Sequence, residues 1–175
     1  MKLIGQHIKL RALEPEDLEE LYQWENNSTN WEVSGTLVPY SKYILDQYLA
    51  SAHQDIYTLK QLRLMIVKNN AIEKPIGCID LFDYEPKNKR AGAGILIGEA
   101  NERGLGYGFE AMQLLISYAT EVLDLHQLYA NILRENNASL KLFQKLGFEI
   151  SGIKKDWIFS KGEWKDEYLL QYIRK

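Results

Sequence analysis

The residues best suited to hold a charged ligand form a short glycine-rich stretch near the middle of the chain. In order they are Arg103, Gly104, Leu105, Gly106, Tyr107 and Gly108. Without a Cβ, the glycines let the backbone take unusual dihedrals and approach a ligand closely, and their N–H groups can converge on one point. A helix that begins there adds unsatisfied donors and partial positive charge. The stretch therefore predicts a phosphate- or pyrophosphate-binding turn, with Arg103 as a charge-assisted partner.

Two well-known phosphate-binding motifs do not fit these glycines. The Rossmann pattern fails because position 109 is Phe, and a P-loop fails because no Gly-Lys-Ser/Thr sequence follows. The remaining alternative is a glycine-rich turn that binds nothing. Three alternating glycines directly before a helical pattern favour a phosphate-bearing ligand over that alternative.

The elements that position this turn are a strand before it and a helix after it. Residues 90–98 read as the strand, and residues 107–123 carry Phe109, Met112 and Ile116 at helical spacing. Gly92 and Gly94 lie inside the strand, where glycine often marks a bulge or the close approach of another backbone or of a ligand. A strand–turn–helix unit is therefore predicted at the centre of the chain.

The remaining pattern predicts one domain over residues 1–175 in the α/β (α+β) class. Residues 28–39 are expected to form an aromatic, irregular loop, and Lys161 with Gly162 is expected to form the turn of a closing hairpin. Helices are predicted over residues 15–27 and 41–53 and from Asn136 or Asn137 to Leu146, and strands over residues 7–11, 57–67, 76–84, 126–133, 148–153, 157–160 and 164–173.

Composition excludes several function classes. The formal charge of -3 shows no basic excess of the kind that nucleic-acid binding requires. Cys78 is the only cysteine, which rules out an internal disulfide and a cysteine-based zinc cluster, and His7, His53 and His126 have no metal-ligand spacing. Residues 1–10 do not resemble a signal peptide, and no apolar stretch approaches membrane-spanning length. We expect a cytoplasmic protein without a metal, a nucleic-acid partner or a membrane partner.

Two motifs resemble those of the GNAT N-acetyltransferases. Arg103-x-x-Gly106-x-Gly108 resembles the family's R/Q-x-x-G-x-G/A signature between a strand and a helix. Asn136-x-x-Ser139-x-x-Leu142-Phe143-x-Lys145-x-Gly147-Phe148 is similar to its Asn-x-x-Ala/Ser-x-x-Leu-Tyr-x-Lys-x-Gly-Phe. The segment 10–18 is similar to the start of the ribosomal-protein-alanine and polyamine acetyltransferase branches. The resemblance implies an acyl-CoA N-acyltransferase fold, with a central mixed, mostly antiparallel sheet and helices on both faces.

The resemblance also implies that acetyl-coenzyme A (acetyl-CoA) is the co-substrate. Its pyrophosphate would lie on the backbone of residues 103–108. Its pantetheine arm would pair with the edge of Ile95, Leu96 and Ile97, where the two central strands splay apart. Asn136 would hydrogen-bond the arm or the adjacent loop, and it is equally well read as a helix cap. The second motif adds three further cofactor-binding candidates: Ser139, Phe143 and Lys145.

The chain departs from the family at both positions that handle protons. The usual general-acid tyrosine falls at Phe143, which has no proton to donate and is also read as a core residue. The glutamate of polyamine acetyltransferases falls at or beside Gly92. The nearest substitutes are the carboxylates of Asp80, Asp83 and Glu99 and the hydroxyl of Tyr129, although each carboxylate also suits an ordinary solvated or capping role.

The expected activity is acetyl-CoA-dependent acetylation of a primary amine, either a polyamine-like small cation or a protein N-terminus. The alternative is a catalytically weakened module or sensor that keeps the fold and still binds an acyl-CoA. Aminoglycoside modification is a third option within the same reaction type. The acceptor, the general base and the oligomeric state stay open, with a homo-oligomer among the options.

Overall fold

The computed structural model describes residues 3–52 and 54–175, without the side chain of Val33. His53, where the second helix was predicted to end, lies outside the described residues. The helices are α1 (Leu18–Glu25), α2 (Ser28–Ser34), α3 (Lys42–Ser51), α4 (Ile56–Leu59), α5 (Tyr107–Glu121) and α6 (Asn137–Lys145), with short 3-10 turns at Pro15–Asp17 and Ala100–Glu102. The strands are β1 (Ile8–Arg11), β2 (Leu62–Lys68), β3 (Pro75–Glu85), β4 (Arg90–Ile97), β5 (Gln127–Leu133), β6 (Glu149–Ser160) and β7 (Glu163–Ile173).

These strands form one sheet in the order β1-β2-β3-β4-β5-β7-β6. Its neighbours run antiparallel except for β4 and β5, which are parallel. Pairing between β4 and β5 stops at Gly92, opposite Tyr129. From Ala93 onward, β4 pairs with β3, whereas β5 continues along β7. The two central strands therefore diverge toward their carboxyl ends, as the resemblance predicted.

Apolar side chains on the two faces of the sheet form two clusters. Successive strand residues point to opposite faces, so Ile79 joins the cluster with Leu115 of α5. Cys78, its neighbour, joins the cluster with Leu21 of α1 and Leu45 of α3. Helices therefore cover both faces, which confirms the predicted mixed sheet with helices on either side.

The loop predicted over residues 28–39 is wrong, because its first half is α2. The Asn27 side chain accepts a hydrogen bond from the Thr29 amide (3.0 Å), and Gly35 ends the helix at φ 71°. Both residues are ordinary helix-boundary signals. The helix was missed because its seven mostly polar residues show no apolar stripe.

The strand predicted over residues 57–67 is wrong at its start. Asp55 caps the single-turn helix α4, Lys60 turns the chain at φ 52°, and β2 begins only at Leu62. The two strands predicted over residues 148–160 are one strand, β6, whose pairing with β7 shifts register between Lys154 and Ile158. The predicted hairpin turn is confirmed, with Lys161 at φ 53° and Gly162 at φ 83°.

Candidate functional site

The glycine-rich turn, residues 103–108, links the carboxyl end of β4 to the first turn of α5. Gly104 and Gly106 have φ of 76° and 89°, and a Cβ on either would meet nothing within 4 Å. Dihedral angle, not space, therefore selects glycine at these two positions. At Gly108 the prediction of unusual dihedrals is wrong, because this residue lies in the first turn of α5 and is not in the positive-φ region.

Strand β4 and helices α5 and α6 meet at Gly108. A Cβ there would make ordinary contacts, at 3.7–3.9 Å, with Ile95 and Ile97 of β4 and with Leu142 of α6. Leu96 points to the opposite face and packs on the α1 and α3 cluster. The predicted cradle, the open edge of β4 and the second motif are thus brought together at one end of the gap between β4 and β5.

Contacts with the end of β4 and with Lys68 hold Arg103 and Tyr107 in place. The Arg103 Nε donates to the carbonyl of Ile97 (2.8 Å), which ties the turn to the end of β4 and leaves the side chain exposed. The Lys68 ammonium lies 5.8 Å above the Tyr107 ring and 2.6 Å from the buried carboxylate of Glu102. The hydrogen bond that Lys68 donates to Glu102 raises the pKa of Lys68. Leu105 is exposed at the tip of the turn.

A second contact, which the sequence did not reveal, fixes the first turn of α5. Glu110 accepts hydrogen bonds from the His7 amide (2.9 Å) and from its Nδ1 (3.2 Å). Burial opposes the charge on Glu110, but these bonds lower its pKa overall. A Cβ on Gly5 would lie 2.1 Å from the Glu110 Oε1, so the N-terminal segment can close on this carboxylate only with glycine there.

The second motif forms α6 and its cap. Asn136 accepts a hydrogen bond from the Ser139 amide (3.2 Å), as expected of a helix cap, and Ser139 is half-buried. Phe143 is buried edge-to-face against Phe148, with the ring centroids 4.9 Å apart, so it is a core residue. Lys145 is exposed, with its ammonium 4.6 Å above the ring of Phe109 in the first turn of α5.

Two of the candidate bases are occupied by ion pairs. Both oxygens of Asp80 accept from Arg63, at 2.7 and 3.2 Å, and Arg63 also contacts Glu25 at 2.6 Å. Glu99 accepts from the indole of Trp24 and from the ammonium of Lys74, both at 3.2 Å. The indole hydrogen bond, followed by that of Lys74, lowers the pKa of Glu99.

The other two candidates contact each other at the point where β4 and β5 separate. The Tyr129 hydroxyl donates to the Asp83 Oδ2 at 3.0 Å. Burial and this hydrogen bond raise the pKa of Tyr129 to about 12. Asp83 is exposed at φ 48°, where the pairing of β3 with β4 is irregular. Among the four candidates, Tyr129 and Asp83 are the two that hydrogen-bond to each other.

Gly92, at or beside the family's glutamate position, lies under an aromatic ring. A Cβ there would be 2.2 Å from the Phe82 ring, and the same ring packs edge-to-face on Tyr129 with centroids 5.8 Å apart. Any side chain at position 92 would displace Phe82. The absence of a glutamate here therefore has a packing cause.

Neither a metal site nor a membrane helix is found in the described part of the chain. Residues 3–52 and 54–175 contain no group of three His, Cys, Asp or Glu side chains able to hold a metal ion. Over the same residues, no helix is both long enough and apolar enough to cross a membrane. Cys78 is a buried free thiol, and burial raises its pKa to about 12.

Comparison with known proteins gives consistent matches. Spermidine N(1)-acetyltransferase of Escherichia coli is 26% identical over 162 residues, which cover 91% of this chain and 82% of that protein. The ribosomal protein uS5-alanine N-acetyltransferase of Escherichia coli is 36% identical over 67 residues, 38% of this chain and 34% of that protein.

One solved structure is a spermidine N-acetyltransferase from Vibrio cholerae in complex with CoA and spermine. It superposes with a TM-score of 0.85 at 22% identity, over 95% of each chain, which establishes the shared fold. Residues 7–149 match the family described as Acetyltransferase (GNAT) domain. Since that match covers most of the chain, the protein belongs to the GNAT acetyltransferases, as the two motifs predicted, and is an N-acetyltransferase.

Proposed function

We propose that the protein binds acetyl-CoA and transfers its acetyl group to the primary amine of a polyamine-like cation or of a protein N-terminus. One observation carries the proposal: the positive-φ turn at the start of α5 lies beside the edge of β4 that β5 leaves free. The names of the spermidine- and uS5-alanine-acetylating relatives support both acceptor classes.

The donor half of the site uses mainly backbone. The amides of the glycine-rich turn and of the α5 N-terminus suit a pyrophosphate, because they add unpaired donors to the positive end of the helix dipole. The edge formed by Ile95, Leu96 and Ile97 suits an extended amide-bearing chain such as pantetheine, which would pair with it as a strand does. Asn136, Ser139 and the ring of Phe143 would border this arm from α6, with Lys145 farther along the helix.

The reaction itself needs little side-chain chemistry. The neutral amine attacks the thioester carbonyl carbon and the C–S bond breaks to release the thiolate, while the proton that the nitrogen loses passes to water or to a neighbouring base. Backbone N–H groups of β4 near residues 93–95 would stabilise the oxyanion. A thiol has a pKa of roughly 8.5, so its thiolate leaves without an obligatory acid. The missing tyrosine at Phe143 would cost at most the usual contribution of one general acid, about 10²–10⁴-fold.

Tyr129 and Asp83 are the groups best placed to assist. With a pKa of about 12, Tyr129 is an unfavourable proton donor to a thiolate, by about a thousandfold or more in the transfer equilibrium. Because its single O–H already donates to Asp83, we assign Tyr129 the role of positioning Asp83, whose carboxylate would accept the proton that the amine loses. Asp80 and Glu99 rank lower because ion-pair partners already occupy their carboxylates.

The decisive experiment combines binding and turnover. Isothermal titration with acetyl-CoA should show saturable binding, and release of free CoA thiol should appear with at least one amine among spermidine, an alanine-initiated peptide, a serine-initiated peptide and an aminoglycoside. No binding at high micromolar concentration would overturn the proposal. Binding without turnover of any acceptor would favour the weakened binding module, which the family match disfavours.

A further inference from the structure

Helix α2 is attached both to the last turn of α1 and to the last strand, β7. Two side chains attach it to the last turn of α1. The buried amide of Asn30 donates to the Trp24 carbonyl (3.2 Å), and the Trp31 indole donates to the Glu25 carbonyl (2.8 Å). Both carbonyls belong to the last turn of α1, which has no following turn to pair with, and that of Trp24 also accepts from the Asn27 amide (3.3 Å). The position of α2 therefore follows that of α1.

The end of α1 is itself fixed at the carboxyl end of β4. The Trp24 ring covers Gly98, where a Cβ would lie 2.4 Å from the indole. The indole N–H donates to Glu99, the next residue. Residues 98 and 99 directly follow β4, so α1 links α2 to the end of β4.

The other attachment of α2 reaches the carboxyl end of β5. Glu32 pairs with Lys165 of β7, a residue 133 positions away in the sequence, and lies 3.5 Å from Lys161. Lys165 also pairs with Glu135, which follows β5 by two residues. The Glu32 and Lys165 side chains are 23% and 14% exposed, so the pair is partly shielded from solvent and salt.

We propose that Glu32 and Lys165 are positioning residues that hold α2 across the mouth between the diverging strands and so set the approach of the acceptor amine. The inference rests on the proposed function. The proposed donor cradle lies at the α5 face, against Ile95 and Ile97, while α1 and α3 pack on the opposite side of the sheet and α2 is attached to the end of α1. An acceptor must reach the thioester from the side that the donor does not occupy, and α2 borders that side.

Two isosteric variants separate this role from general stability. Glu32→Gln removes the charge that links α2 to Lys165, and Glu135→Gln removes the other carboxylate on the same ammonium without touching α2. We expect Glu32→Gln to raise the acceptor KM about tenfold, because that factor corresponds to the loss of one charge-assisted hydrogen bond. Its KM for acetyl-CoA should stay within about twofold, and Glu135→Gln should leave both constants within about twofold.

Hydrogen exchange of residues 28–34 measures the attachment without any turnover. Glu32→Gln should speed exchange in this segment, whereas Glu135→Gln should not. Unchanged exchange in Glu32→Gln would refute the attachment, and faster exchange with an unchanged acceptor KM would refute the positioning role. A wild-type protein that turns over no acceptor would overturn the proposed function and the positioning role with it. The exchange result would still show separately whether the ion pair holds α2.

Discussion

Substitution of Gly106 by alanine tests whether backbone geometry builds the donor cradle. Gly106 has φ 89° and ψ -7° immediately before α5, and its Cβ position is open. Alanine would therefore meet no steric clash with neighbouring atoms, and its cost would be purely conformational. A side chain in the left-handed region costs about 1–2 kcal/mol.

The matched control is the third glycine of the same motif. Gly108 lies in the first turn of α5, and a Cβ there would make contacts at 3.7–3.9 Å, which is ordinary van der Waals distance. Replacing a helical glycine by alanine gains about 0.5–1 kcal/mol through the backbone entropy of the unfolded chain. Two substitutions two residues apart should thus change the free energy of unfolding in opposite directions.

Thermal unfolding measures both effects. For a chain of this size, 1 kcal/mol corresponds to about 2–4 °C in Tm. We expect Gly106→Ala to lower Tm by about 2–8 °C and Gly108→Ala to raise it by about 1–4 °C. Acetyl-CoA should stabilise Gly106→Ala less than the wild type, because any relaxation of the strained turn turns an amide away from the pyrophosphate. Equal Tm values for the two variants would refute the assignment of Gly106 as conformationally required.

Four other substitutions or conditions give independent checks. Tyr129→Phe should lower kcat about tenfold with Tm nearly unchanged, and an unchanged kcat would remove Tyr129 from the reaction. Gly92→Ala should cost about 1–3 kcal/mol by overpacking against Phe82, and chemical denaturation should show a much smaller cost of the same substitution in a Phe82→Ala background. Phe143→Tyr should destabilise the core by about 1–3 kcal/mol, because it buries a hydroxyl. It should raise kcat only if that hydroxyl reaches the thiolate, so stability and kcat are measured on the same variant. Hydrogen bonds from Lys165 and Ser160 lower the pKa of Glu32 to about 2. The contribution of Glu32 to stability is therefore complete above about pH 5 and is lost as the pH falls toward 2. In acid unfolding, the stabilities of the wild type and Glu32→Gln should converge over that range.

The central unit of the fold was readable from the sequence because its signals are local. Helical spacing identified α5, residues 90–98 were read as the strand before it, and Gly147 at φ 91° ended α6 as expected of a left-handed stop. Helix α2 was missed because its seven mostly polar residues carry no such period, and the α4 turn was absorbed into the strand after it. Periodicity identifies long amphipathic elements and fails for short ones held by caps and tertiary hydrogen bonds.

The sequence indicated the proposed donor half of the candidate site and little of the rest. Its alternating glycines and the start of the helix are visible in one stretch of sequence. The groups that fix this turn are not visible in the sequence, because Glu102 contacts Lys68 and Glu110 contacts His7 across sequence separations too long to leave a pattern. The same holds for Glu32, which sequence reasoning placed in a loop and which pairs with a residue of the last strand.

At both positions where the chain departs from the family pattern, Gly92 and Phe143, aromatic side chains fill the space. Where the resemblance places a glutamate, the ring of Phe82 fills the space above Gly92, and where it places a tyrosine, Phe143 packs on Phe148. Both positions have exchanged a proton-bearing group for aromatic packing, while the backbone cradle at Gly104 and Gly106 is kept. In the proposed function, binding of the donor relies on main-chain amides, so it can persist when those side chains change. Proton transfer must then fall to the solvent, to the acceptor's own ionisation or to the Tyr129 and Asp83 pair at the separating strands.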